Sequence, residues 1–123
     1  MSEARADRSE RRKITPEEVE KELIRYGIQF QDCLASTYVY FITDGEYVKI
    51  GKGYPSQRIN QMQTANAREL TTLFSVPVGH GQGNRAETVI HHLFRDYLVR
   101  GEWYDLTDVI DADAFRERFG CEG

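Results

Sequence analysis

Cysteine is scarce in this chain, with two residues in 123. Cys33 and Cys121 lie far apart and outside any metal-ligand spacing, which removes a disulfide scaffold and a thiolate zinc site from consideration. Two free thiols in a reducing compartment is the reading, with a single Cys33–Cys121 pairing left open. Long apolar runs are also missing. None approaches the length of a membrane span, and the N-terminus has no apolar stretch of the secretory kind. A cytoplasmic protein with no membrane role is therefore expected. A basic excess is absent too: the net charge is −4, which argues against non-specific coating of nucleic acid. The acidity sits mostly in the flanks, at Thr15–Ser36 and Asp108–Gly123, while the segment Thr37–Thr107 is balanced. That leaves room for a local basic cleft. Hydrophobic residues make up 40% of the chain, enough for one core and one compact domain.

Residues 1–14 open with "MSEARADRSERRK", small and charged, and read as a disordered tail. "TPEEVEKELIRYGI" follows as a helix, with Thr15 as cap, Pro16 in the first turn and Glu18 completing a capping box. Gly27 stops it, and residues 15–36 form a docking helix and linker. "TYVYFITDGEYVKIGKG" then alternates about an Asp44-Gly45 pair, the signature of a hairpin with a two-residue turn. Pro55 opens a helix through "PSQRINQMQTA", with Ile59 and Met62 inward. "ELTTLFSVPV" is a third strand. "RAETVIHHLFRDYL" is a second long helix with a broad apolar face. "VRGEWYDL" is a turn with a short extended piece, and "TDVIDADAFRERF" is a C-terminal helix within 108–123. The expected fold class is α+β: a small antiparallel sheet of three strands flanked by helices.

A few polar residues are not needed by this fold. Lys49 sits inside an otherwise apolar strand. It serves either as an edge-strand charge that blocks aggregation or as a cation that lowers the pKa of the Tyr40 phenol. Arg58 is a surface residue or a clamp for phosphate oxygens. Glu87 lies near the apolar face of its helix, four residues before His91. It is a solvated glutamate or a ligand for a hard cation. The "GKG" stretch lacks the spacing of a phosphate-binding P-loop. The histidines, His80, His91 and His92, fit no compact zinc pattern.

Taken in order, "VYFI", "YVKIGKG", "QRINQMQTAN", "AETVIHHLF" and "GEWYDL" resemble the GIY-YIG nuclease superfamily in its phage-type branch, over residues 37–107. In that resemblance Tyr40 matches the tyrosine of the first signature strand, and Lys49 stands where better-known members carry a second tyrosine. Gly51 matches the closing glycine, Arg58 the catalytic arginine and Glu87 the metal-binding glutamate, with His91 following it. The lysine at 49 removes a phenol that other members place near the attacking water.

The resemblance implies a metal-dependent DNA endonuclease, phage or mobile-element encoded. Its cofactor would be one divalent cation, magnesium or manganese, on Glu87. Tyr40, helped by Lys49, would orient or deprotonate water. Arg58 would neutralise charge on the phosphorus. The products would carry a 5′-phosphate and a 3′-hydroxyl. Lys52, Asn66, Arg68 and His91 are the candidate contacts to DNA, and Glu102, Trp103 and Tyr104 are expected to close the core. The competing expectation is a catalytically weak or inactive module that binds nucleic acid, a protein partner or a second copy of itself. It draws on the acidic flanks and on a chain too short to hold an attached DNA-binding domain.

Overall fold

The computed structural model describes residues 11–29 and 37–119. Cys33, Cys121 and the 30–36 linker lie outside them, as does the expected tail over residues 1–10. The last residues of that tail belong to the body of the fold. Ile14 is buried, and its amide donates to the Val109 carbonyl at 2.9 Å. Arg11 donates to the Asp105 carbonyl at 2.8 Å and to its carboxylate at 3.4 Å. An apolar anchor and a guanidinium with a buried acceptor outweigh the charged composition around them.

Helix α1 (Pro16–Arg25) starts as its sequence requires, with the Glu18 amide donating to Thr15 Oγ1 at 3.1 Å. The reciprocal half of the capping box is replaced by a Glu18–Arg12 ion pair. Gly27, at φ +79°, ends the helix, and the Ile28 amide reaches back to the Leu23 carbonyl. Strands β1 (Thr37–Thr43) and β2 (Val48–Lys52) make the hairpin and set Tyr40 opposite Gly51. Its turn is longer than the Asp44-Gly45 pair predicts. Asp44 Oδ1 accepts the amides of Glu46 at 2.9 Å and Tyr47 at 2.8 Å, so the reversal occupies residues 44–47.

Helix α2 (Pro55–Gln63) leads to β3 (Thr71–Val78), which pairs with the other edge of β1. Helix α3 (Gly83–Phe94) runs into a 3-10 turn over Arg95–Tyr97, then β4 (Leu98–Arg100) and β5 (Trp103–Tyr104). The sheet is therefore five-stranded and antiparallel, in the order β3-β1-β2-β5-β4, not three-stranded. The added strands both come from "VRGEWYDL". They are too short to show alternation in sequence, and β5 is recognisable only through its pairing with β2. Helix α4 (Ala112–Phe119) begins later than expected. Asp108 takes a left-handed backbone, φ +62°, and Asp111 Oδ1 accepts the Asp113 amide at 3.1 Å, so capping falls to Asp111.

Alternation along the strands sorts side chains into two layers. On one face Val39, Phe41, Ile50 and Val76 pack against α1, α3 and α4. Phe74 stacks between Phe41, at 4.3 Å, and Phe115 of α4, at 4.4 Å. On the other face Tyr40, Ile42 and Leu70 meet Ile59 and Met62 of α2 and Trp103 of β5. Among the described residues no helix is long and apolar enough to cross a membrane.

Candidate active site

The site forms where the pairing between β2 and β5 stops. That ladder holds Val48 to Tyr104 and Lys49 to Trp103, and the last contact is the Ile50 amide on the Glu102 carbonyl at 3.1 Å. Past Ile50, β2 continues as Gly51 and Lys52 with no β5 residue beside it. Side chains from both layers meet in this notch.

Tyr40 is the buried member, 3% exposed. Its ring lies across Gly51, where an added Cβ would lie 2.9 Å from Tyr40 Cε1 and closer still to the hydroxyl. Glycine at 51 is thus a requirement of the phenol's position, beyond the loosening of the chain. Arg58 is exposed on the first turns of α2, and its Nη1 donates to Gln61 Oε1 at 3.1 Å. Gly53, at φ +126°, lies under this guanidinium. Burial pushes the Tyr40 phenol above its ordinary value. Arg58 pulls it back, while Glu102 and Glu87 push it further up.

Lys49 meets a carboxylate. Its Nζ donates to Glu102 Oε1 at 3.0 Å and stands 5.9 Å from the centre of the Trp103 ring. Its charge is met by a carboxylate, and the net shift of the Tyr40 phenol is upward, not downward.

Glu87 and His91 lie one turn apart on α3, with His91 Nε2 3.4 Å from Glu87 Oε2. The contact lacks hydrogen-bond alignment, and Nε2 is buried without a hydrogen-bond partner. The other ring nitrogen, Nδ1, is joined to the Tyr104 hydroxyl. Burial, then Glu102 and Glu87, push the Tyr104 phenol up to about 12, so it is neutral at physiological pH. One donor atom each from Glu87, His91 and Glu102 lie within 4.8 Å of one another. Tyr104 is buried in the core, as the sequence suggested, while Glu102, expected to close the core as well, is half-exposed at the notch. Both stand in "GEWYDL", so the motif located them, but a two-residue strand does not reveal which side chain faces the notch.

The remaining candidates are elsewhere. Lys52 lies against the head of α3, with its Cδ 3.4 Å from where a Gly83 Cβ would stand. Asn66 Nδ2 donates to the Met62 carbonyl at 2.9 Å and closes the end of α2. Arg68 is at the hairpin tip, paired with Glu46 at 2.9 Å and Asp44 at 3.7 Å.

A family model, the T5orf172 domain, matches residues 37–120. The chain belongs to the T5orf172 domain family. The match begins at β1 and takes in every strand of the sheet and the whole notch, leaving out α1. A T5orf172 domain is phage-associated and nuclease-like in context. No curated protein and no solved structure matches the chain.

Proposed function

We propose that this T5orf172 domain is a metal-dependent endonuclease of the GIY-YIG type that hydrolyses DNA phosphodiester bonds, encoded by a phage or mobile element. The observation that carries this reading is the cluster at the notch. Donor atoms of Glu87 and His91 from α3 and of Glu102 from the β4–β5 turn lie within 4.8 Å of one another although they are scattered in sequence. On β2 and the loop after it, Tyr40 lies across Gly51 and Arg58 over Gly53. A structural surface has no need to gather a buried phenol, an exposed guanidinium and two carboxylates at one break in a sheet.

The residues divide the work. Arg58 is solvent-facing, and its two-pronged fork suits a phosphate oxygen pair and the charge that grows there. Tyr40 is neutral, so its hydroxyl orients the nucleophilic water as donor or acceptor. Its raised pKa makes it a positioning group before it is a base. Lys49 keeps Glu102 in place through their ion pair. A divalent cation fits the pocket: Glu87 supplies an oxygen, and beside it His91 offers a buried nitrogen with no hydrogen-bond partner. When bound on Glu87, such an ion supplies Lewis-acid stabilisation of the phosphate and the leaving oxygen.

The test is nicking of supercoiled plasmid in magnesium or manganese. Wild-type protein is expected to nick. Glu87→Ala and Arg58→Ala are each expected to lose on the order of 100-fold or more, the scale of removing one transition-state contact. Equal cleavage by all three proteins would place the activity in a contaminant. The alternative, a nucleic-acid-binding or protein-interaction module without turnover, draws on the raised Tyr40 phenol and the neutralised Lys49. It predicts plasmid binding without nicks.

A further inference from the structure

We propose that His91 and Glu102 are direct metal ligands alongside Glu87, and that the imidazole makes this pocket prefer manganese to magnesium. The inference deepens the nuclease reading of the same pocket and rests on it only for the ion's use, not for the ligand set.

The donor geometry comes first. Two opposite ligands of one small divalent ion stand about 4.2 Å apart, twice a metal–ligand distance of about 2.1 Å. The donor atoms of Glu87, His91 and Glu102 already lie within 4.8 Å of one another. Small side-chain rotations bring all three onto a single ion. Two of the three are on α3 and one is in the turn that enters β5.

The histidine is the second observation. Its Nε2 is buried, faces Glu87 and lacks a hydrogen-bond partner. An orphaned buried nitrogen costs desolvation unless something fills its lone-pair direction. Its Nδ1 is anchored on the Tyr104 hydroxyl, the arrangement by which an outer partner fixes the ring of a metal-bound histidine. Glu102 is the only ligand with a competing cation, Lys49 at 3.0 Å. It is also half-exposed.

The donor set then selects the ion. Two carboxylates and an imidazole suit a first-row transition ion. Magnesium favours all-oxygen coordination with retained water. The nitrogen is the part of the set that separates the two.

The measurement is binding of the metal alone to the full chain without DNA. Free manganese is read by electron paramagnetic resonance, and magnesium by competition against it. Wild type is expected to bind manganese more tightly than magnesium and to show nitrogen hyperfine coupling from one imidazole. Glu102→Gln is expected to weaken manganese by about tenfold or more, at least the loss typical of disturbing an outer-shell partner. His91→Gln should abolish the nitrogen coupling and lower the manganese preference while magnesium changes little. Tyr104→Phe should keep the coupling and weaken binding by about tenfold. Melting curves in chelator certify that each variant is folded. Absence of nitrogen coupling in wild type, or unchanged manganese affinity in Glu102→Gln, overturns the ligand set even if plasmid is nicked. A three-ligand site in a protein that leaves plasmid intact keeps the ligand set and ends the nuclease reading instead.

Discussion

Gly51 shows how narrowly one position is specified. Its missing side chain makes the space in which the Tyr40 phenol lies. Gly51→Ala forces the ring aside in a strand whose backbone accepts alanine. The expected outcome is a folded protein with plasmid nicking reduced about 100-fold, as for a misplaced catalytic group, checked by nicking rate beside circular dichroism. Tyr104 carries a different prediction. Its phenol is held at about 12, above the unfolded value near 10. The unfolded chain therefore loses that proton first. The stabilisation is complete below about pH 10 and falls away as the pH rises toward 12. Denaturant midpoints in alkaline buffer should drop less steeply for Tyr104→Phe than for wild type. At this scale Tyr40, Arg58, Glu87 and His91 were legible in the sequence because each stands at a recognisable spacing in its motif. Glu102 was not, because the neighbouring Trp103 and Tyr104 made the stretch look like core filling. The ion-pair partner of Lys49 was not legible either, because it comes from 53 residues further along the chain.

Elements follow their sequence signals where the signal is local. Thr15 and Pro16 start α1 and Gly27 ends it. The departures are places where a side chain bonds to backbone and displaces the regular pattern. Asp44 lengthens the hairpin turn in this way, and Asp111 delays α4. Burial works to raise the Asp44 carboxyl, but the amides of Tyr47 and Glu46 and the Arg68 guanidinium bring it below its ordinary value. Its stabilisation is thus present above about pH 4 and is lost as the pH falls through the lower folded value. Asp44→Ala is expected to cost about 1 kcal/mol near neutrality and to flatten the acid side of the stability profile. Urea titration across that range checks both. The five-stranded sheet belongs to this scale as well. A strand as short as β5 exists through pairing with β2, and β4 through pairing with β5; pairing between distant segments leaves no periodic trace in a sequence.

The whole molecule is tied together by α4 and by the segment before α1. Phe115 stacks on Phe74, which stacks on Phe41, so one aromatic column links the C-terminal helix to the central strand. Phe115→Ala is expected to cost about 3–5 kcal/mol, read as a lower urea midpoint, with the Glu87, His91 and Glu102 cluster on the far side of β2 unaltered until the chain unfolds. Arg11, at the opposite end of the chain, lies on Asp105. Asp105 comes three residues after Glu102, on the run that continues from β5. The N-terminal segment is in effect a leash on the run that follows β5, since Arg11, Lys13 and Ile14 hold the carbonyls of Asp105, Asp108 and Val109 in turn. Removing Arg11 would slacken that run at the end nearest the notch.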